Sequence, residues 1–89
     1  MRVALICRDR PNALDVRKAN RQAHLDYIAA SGTVEMAGPL IENGEMAGSL
    51  LILSVESLAE AQAWAAGDPY AVAGLFDTVT MHEWRKVVG

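Results

Sequence analysis

Two short runs, Val3-Ala4-Leu5-Ile6-Cys7 and Leu50-Leu51-Ile52-Leu53, are apolar at every position. Side chains alternate across a strand, so a strand of this kind shows apolar groups to both faces of its sheet and belongs inside the sheet, not at its edge. Two other stretches read differently. Residues 33–40 carry Glu35, and residues 76–87 carry Asp77, Glu83 and Arg85, mixing polar with apolar groups as edge strands do. Chain length tightens the constraint. In 89 residues there is room for one core and one domain spanning 1–89, with too little helix to cover both faces of a sheet.

Helical segments lie between the strands. Asn12 is placed to cap the first, with Asp15 three residues on, and the helix is expected to run to about residue 30. At the helical period Val16, Ala19, Ala23, Tyr27 and Ala30 share one face, while Asp15, Lys18, Gln22 and Asp26 take the other and His24 falls at the margin. Ser31-Gly32 stops this helix, and Asn43-Gly44 joins strands at 33–40 and 48–55 as a hairpin. Ser57-Leu58-Ala59-Glu60 is a capping box for a second helix that closes at Ala66-Gly67, after which Asp68-Pro69 opens a short helical turn over 69–74. Strand, helix, strand, strand, helix, strand is the ferredoxin-like α+β order, βαββαβ. It predicts a four-stranded antiparallel sheet with two helices on one face and the first and third strands in the middle. The helix-free face then keeps the apolar side chains of both central runs, which predicts a second copy of the sheet packed against it, as a homodimer or a higher assembly built from one.

Charge narrows the partners. A formal net charge of −3 with no basic stripe excludes a nucleic-acid partner, and no apolar stretch has the length of a membrane span or a signal peptide. The single cysteine, Cys7, lies in an apolar strand and suits a reducing, cytoplasmic setting. Burial should raise its pKa and make it a poor nucleophile. His24 and His82 are far apart, and neither has the close Cys or His neighbour that a structural metal cluster shows, so neither metal nor cofactor is expected.

The residues that remain for chemistry are few. His24 changes charge near neutral pH and reads either as a general base or as a partly buried histidine tied to backbone or solvent. Asp68, in Gly67-Asp68-Pro69-Tyr70, reads as a helix N-cap. Its second oxygen leaves room for a further role, holding an imidazole in its working tautomer. Arg21 and Tyr70 are the nearest candidates for placing a substrate. Arg8, Arg10, Arg17 and Arg21 gather near the first strand-to-helix junction, where they read as a solvated surface or as an attraction for an anion. His82 reads as a solvated edge histidine, and adjacent strand residues point to opposite faces, so it cannot pair with Glu83. The methionines and tryptophans are expected to fill the core and the dimer interface.

Four stretches together resemble the YciI-like (YCII-related) proteins: Arg21-Gln22-Ala23-His24-Leu25-Asp26-Tyr27, Ala37-Gly38-Pro39-Leu40, Gly67-Asp68-Pro69-Tyr70 and Gly74-Leu75-Phe76. The resemblance covers nearly the whole chain and departs at the ends of the second and last strands. It implies a dimeric α+β barrel with a pocket in each subunit centred on a His-Asp pair, whose members here are His24 and Asp68. One member type is a dehydrochlorinase acting on a chlorinated hydroxyquinol. The reading that follows is a cofactor-independent enzyme using this dyad for acid–base chemistry, an elimination or isomerisation, on a small cyclic or aromatic molecule. The alternative is a non-catalytic small-molecule-binding or accessory dimer.

Overall fold

In the computed structural model, which describes residues 1–89, the first apolar run lies inside strand β1 (Arg2–Asp9). Helix α1 (Leu14–Ser31), strands β2 (Val34–Glu42) and β3 (Glu45–Ser54), helix α2 (Leu58–Gly67), the one-turn helix α3 (Pro69–Val72) and strand β4 (Phe76–Trp84) follow. The strands make one sheet in the order β2-β3-β1-β4, with every neighbouring pair antiparallel. The two apolar runs are therefore central and face each other, Val3 opposite Leu53 and Leu5 opposite Leu51. This is the ferredoxin-like arrangement expected from the sequence.

The hairpin is tighter than the expected strand at 48–55 implied. Asn43 and Gly44 both have positive φ, 51° and 77°, as a two-residue turn matching the strand twist requires, and pairing resumes at once with Glu42 opposite Glu45. At the other end β4 stops at Trp84, short of the expected residue 87. Its partner there is Arg2, the first residue of β1, so the ladder has nothing further to pair with.

Helix α1 corrects the sequence reading twice. Asn12 is not its cap: Asn12 sits in the left-handed region at φ 58°, the cap is Ala13, and no side chain bonds to the first turn. Asparagine tolerates that conformation, and the kink lets Ala13 pack with Tyr70 and Leu75 in a small second core. The inward stripe is also turned by about one residue. Ala19, Ala23 and Ala30 are exposed, whereas Arg17 and His24, two polar residues seven apart, are the two buried positions of the helix. The expected stop at Gly32 is present, in the left-handed conformation at φ 64°.

On the helix side Val3, Leu5, Cys7, Leu51, Leu53 and Trp64 form the main core. The opposite face carries Ala4, Ile6, Leu50 and Ile52 from the central strands, flanked by Met36 and Trp84, and Leu50, Met36 and Trp84 are exposed at 41 %, 60 % and 39 %. Helix α2 starts as its capping box predicts: the Glu60 amide donates to Ser57 Oγ at 3.1 Å. The Glu60 carboxylate accepts from Glu56 N–H at 2.9 Å, one residue earlier than the usual partner. Gly67 is needed for contact: a Cβ there would lie 2.5 Å from the Tyr27 hydroxyl, which donates to the Trp64 carbonyl at 2.8 Å. No helix is long and apolar enough to cross a membrane.

Candidate active site

Helix α2 packs over β1 and β4 while helix α1 runs on the β2 side of the sheet, and between α1 and strands β2 and β3 lies a cavity of about 130 Å³. Helix α1 contributes Arg17, Arg21, His24 and Leu25, the strands contribute Pro39, Met46 and Ser49 among others, and Tyr70 of α3 closes the wall. His24 and Asp68 meet here although 44 residues separate them: His24 Nδ1 lies 2.8 Å from Asp68 Oδ1, with the two side chains 8 % and 1 % exposed. Because Asp68 follows α2 directly and precedes Pro69, its backbone is extended at the junction of two helices, and its side chain is held against α1.

The sequence reading assigned the two Asp68 oxygens separate roles, and the structure assigns both to one. Oδ1 accepts from the Tyr70 amide at 3.0 Å, capping α3, and also takes the contact with His24, while Oδ2 is buried without a hydrogen-bond partner. With Asp68 ionised, Nδ1 carries the proton and donates, which leaves Nε2 as the basic nitrogen of the ring.

Tyr70 is an aromatic wall more than a free binding group. It is 1 % exposed, its ring stacks on the His24 imidazole with centroids 4.0 Å apart and planes 17° apart, and the Arg17 guanidinium lies 4.6 Å from the same ring centroid. Burial, working against the nearby positive charges of Arg17 and Arg21, keeps its phenol protonated above the ordinary tyrosine range. Arg21 is exposed and lines the cavity.

Arg17 departs furthest from its sequence reading. It is 2 % exposed, and its Nε and Nη2 donate to the two oxygens of Asp9 at 2.7 and 2.8 Å, with Nη2 donating also to Ser49 Oγ at 2.9 Å. Burial alone would lower its pKa, but the Asp9 hydrogen bonds and charge overcome that and hold the guanidinium charged. Asp9 and Ser49 were missed as site residues. Nothing in the sequence pointed to either, and the spacing of Arg17 from His24, two helical turns on one face, bears on Arg17 alone.

Cys7 lies in the core beneath this site. Its thiol is pushed up to about 12, first by burial and then by the Asp68 charge, so it is not a nucleophile. His82 is exposed on β4, and its neighbour Glu83 faces the other side of the sheet.

Residues 1–85 match the model of the YCII-related domain family. The chain is 32% identical over 97 aligned positions to Protein YciI of Escherichia coli O6:H1 (strain CFT073), and 35% identical over 97 positions to an uncharacterized protein of Haemophilus influenzae. Each alignment covers 98% of this chain and 99% of the relative. Among solved structures it is similar to 5-chloro-2-hydroxyhydroquinone dehydrochlorinase (TftG) of Burkholderia phenoliruptrix AC1100, solved in complex with 2,5-dihydroxybenzoquinone: TM-score 0.87 and 32% identity, over 96% of this chain and 94% of that one. An antibiotic biosynthesis monooxygenase shares the fold alone, at TM-score 0.57 and 10% identity over 96% of this chain and 98% of that one. With the family model, the full-length relatives and the architecture in agreement, the chain belongs to the YCII-related family.

Proposed function

We propose that the protein is a cofactor-independent enzyme in which His24, oriented by Asp68, moves a proton on a small cyclic or aromatic molecule during an elimination or isomerisation. The observation that carries this reading is the buried His24–Asp68 contact at the wall of a cavity of about 130 Å³. A buried carboxylate on Nδ1 holds one tautomer and stabilises the imidazolium formed when Nε2 takes a proton. The cavity suits a single ring, since an apolar cavity of roughly 150 Å³ accommodates benzene. Similarity to the dehydrochlorinase supports a halogenated hydroxyquinol as the first substrate to try. In such an elimination the keto tautomer of the ring, with its chlorine on a tetrahedral carbon, loses a proton to Nε2, the freed electron pair forms a new double bond in the conjugated ring, and chloride departs with the carbon–halogen pair.

The test is turnover of 5-chloro-2-hydroxyhydroquinone, read as chloride release, with His24→Asn and Asp68→Asn as variants. Positioned acid–base catalysis contributes typically ~10²–10⁴-fold, and each variant is expected to lose activity on that scale while remaining folded. Nitrogen-15 shifts of His24 should show Nδ1 protonated in the wild type and that preference lost in Asp68→Asn. A wild type that turns over neither this compound nor other halogenated phenols, quinols and lactones, with a His24 tautomer indifferent to residue 68, overturns the enzyme reading in favour of a binding or accessory dimer.

The working unit in this proposal is a homodimer. Leu50, Met36 and Trp84 on the helix-free face, beside Ile6 and Ile52, form an apolar surface that a second copy of the same sheet would cover. The unpaired Cys7 thiol in the core fits a cytoplasmic setting, where thiols stay reduced.

A further inference from the structure

Two turns along α1 from His24, against the same Tyr70 ring, lies a second polar cluster that the acid–base reading does not use. Arg17 holds Asp9 through Nε and Nη2 and reaches Ser49 through Nη2, so Ser49 Oγ already accepts a hydrogen bond at 2.9 Å. Ser49 is 3 % exposed, on β3 opposite Cys7, and both it and Arg17 line the cavity. Its own O–H donates to no protein group. A hydroxyl whose oxygen is held by a guanidinium is a polarised donor of fixed direction. Arg21 adds a second donor at the cavity rim. The one carboxylate in the cluster, Asp9, has both oxygens occupied by Arg17. The cavity thus offers donors at the Ser49 end and, with Nδ1 bonded to Asp68, a basic nitrogen at the His24 end.

We propose that Ser49, held by Arg17 and Arg17 by Asp9, donates its hydroxyl to an ionised oxygen of the ligand, so that the site selects the phenolate or enolate form of a single-ring molecule over the neutral acid. This rests on the reading of the cavity as the substrate site and adds the group that recognises charge there. Ser49 makes the contact, and Asp9 acts through Arg17 as a positioning residue. Hydrogen bonds to charged groups contribute about 1.5–3 kcal/mol, roughly a 10- to 100-fold change in affinity.

The experiment uses 4-nitrophenol, whose phenolate has its own visible band. Titrated into the full-length protein across the pH range of its ionisation, the bound probe should ionise at lower pH than the free probe. Ser49→Ala should weaken phenolate binding at least tenfold and return the ionisation of bound probe towards that of free probe, while binding of the neutral phenol stays within twofold. Asp9→Asn should move the same signal in the same direction. His24→Asn should keep the preference for phenolate, which separates a failure here from a failure of the dyad. If Ser49→Ala does not fold, the wild-type titration still decides: a bound probe that remains neutral where the free probe is ionised, or no bound phenolate at millimolar probe, overturns the assignment. So does a folded Ser49→Ala that shifts stability and leaves the bound spectrum unchanged, since a purely structural partner of Arg17 would behave that way.

Discussion

Cys7 shows how a single buried group links the core to pH. Its folded pKa, pushed up to about 12 from an ordinary 9.0, means that the native thiol keeps its proton where the unfolded one loses it. The unfolded state then binds fewer protons, so this contribution to stability is complete below about pH 9 and is lost as pH rises to about 12. The limiting slope is about 1.4 kcal/mol per pH unit. Tyr27 and Tyr70, both raised by burial, add the same sign once the ordinary tyrosine range is reached. Urea midpoints at pH 8, 9 and 10 should fall in the wild type and fall less in Cys7→Ala, and equal slopes in the two would refute the account. The behaviour of Cys7 was legible from its apolar run alone. That of Arg17 was not, because its partner Asp9 sits on a strand eight residues earlier and Ser49 lies 32 residues later, beyond the reach of any helical spacing.

At the scale of elements, local chemistry was legible wherever a bond closes within a few residues. The Asn43-Gly44 turn, the Gly32 stop, the Ser57 cap and the Asp68 cap all occur where their residue types place them. The first turn of α1 was misread because Asn12 serves a backbone kink that lets Ala13 reach Tyr70 and Leu75, and that demand comes from tertiary packing. The phase of α1 was misread for a related reason. Counting apolar positions favours alanines, yet the buried stripe is set by Arg17 and His24, whose partners lie on other elements. The Ser57 cap gives a clean test: Ser57→Ala removes the acceptor of the Glu60 amide and should cost about 1 kcal/mol in urea unfolding without affecting ligand binding. A loss below a few tenths of a kcal/mol would show that the Glu60 contact with Glu56 suffices to start α2.

For the whole molecule, strand order followed from two apolar runs, since only interior strands are apolar on both faces. In the proposed homodimer the outer face packs on a second copy, and sedimentation at micromolar concentration tests it. The wild type should run as a dimer, and Leu50→Arg, at a position 41 % exposed in the single chain, should run as a folded monomer with an unchanged far-ultraviolet spectrum. A folded wild-type monomer at that concentration would remove the dimer from the proposal. At this same scale the shared oxygen of Asp68 matters most. The first turn of α3 and the His24 ring share one hydrogen-bonding atom, Oδ1. A loosening of residues 69–72 would therefore free the imidazole from its carboxylate and from the Tyr70 ring in the same event, so the one-turn helix and the ring should lose their order together.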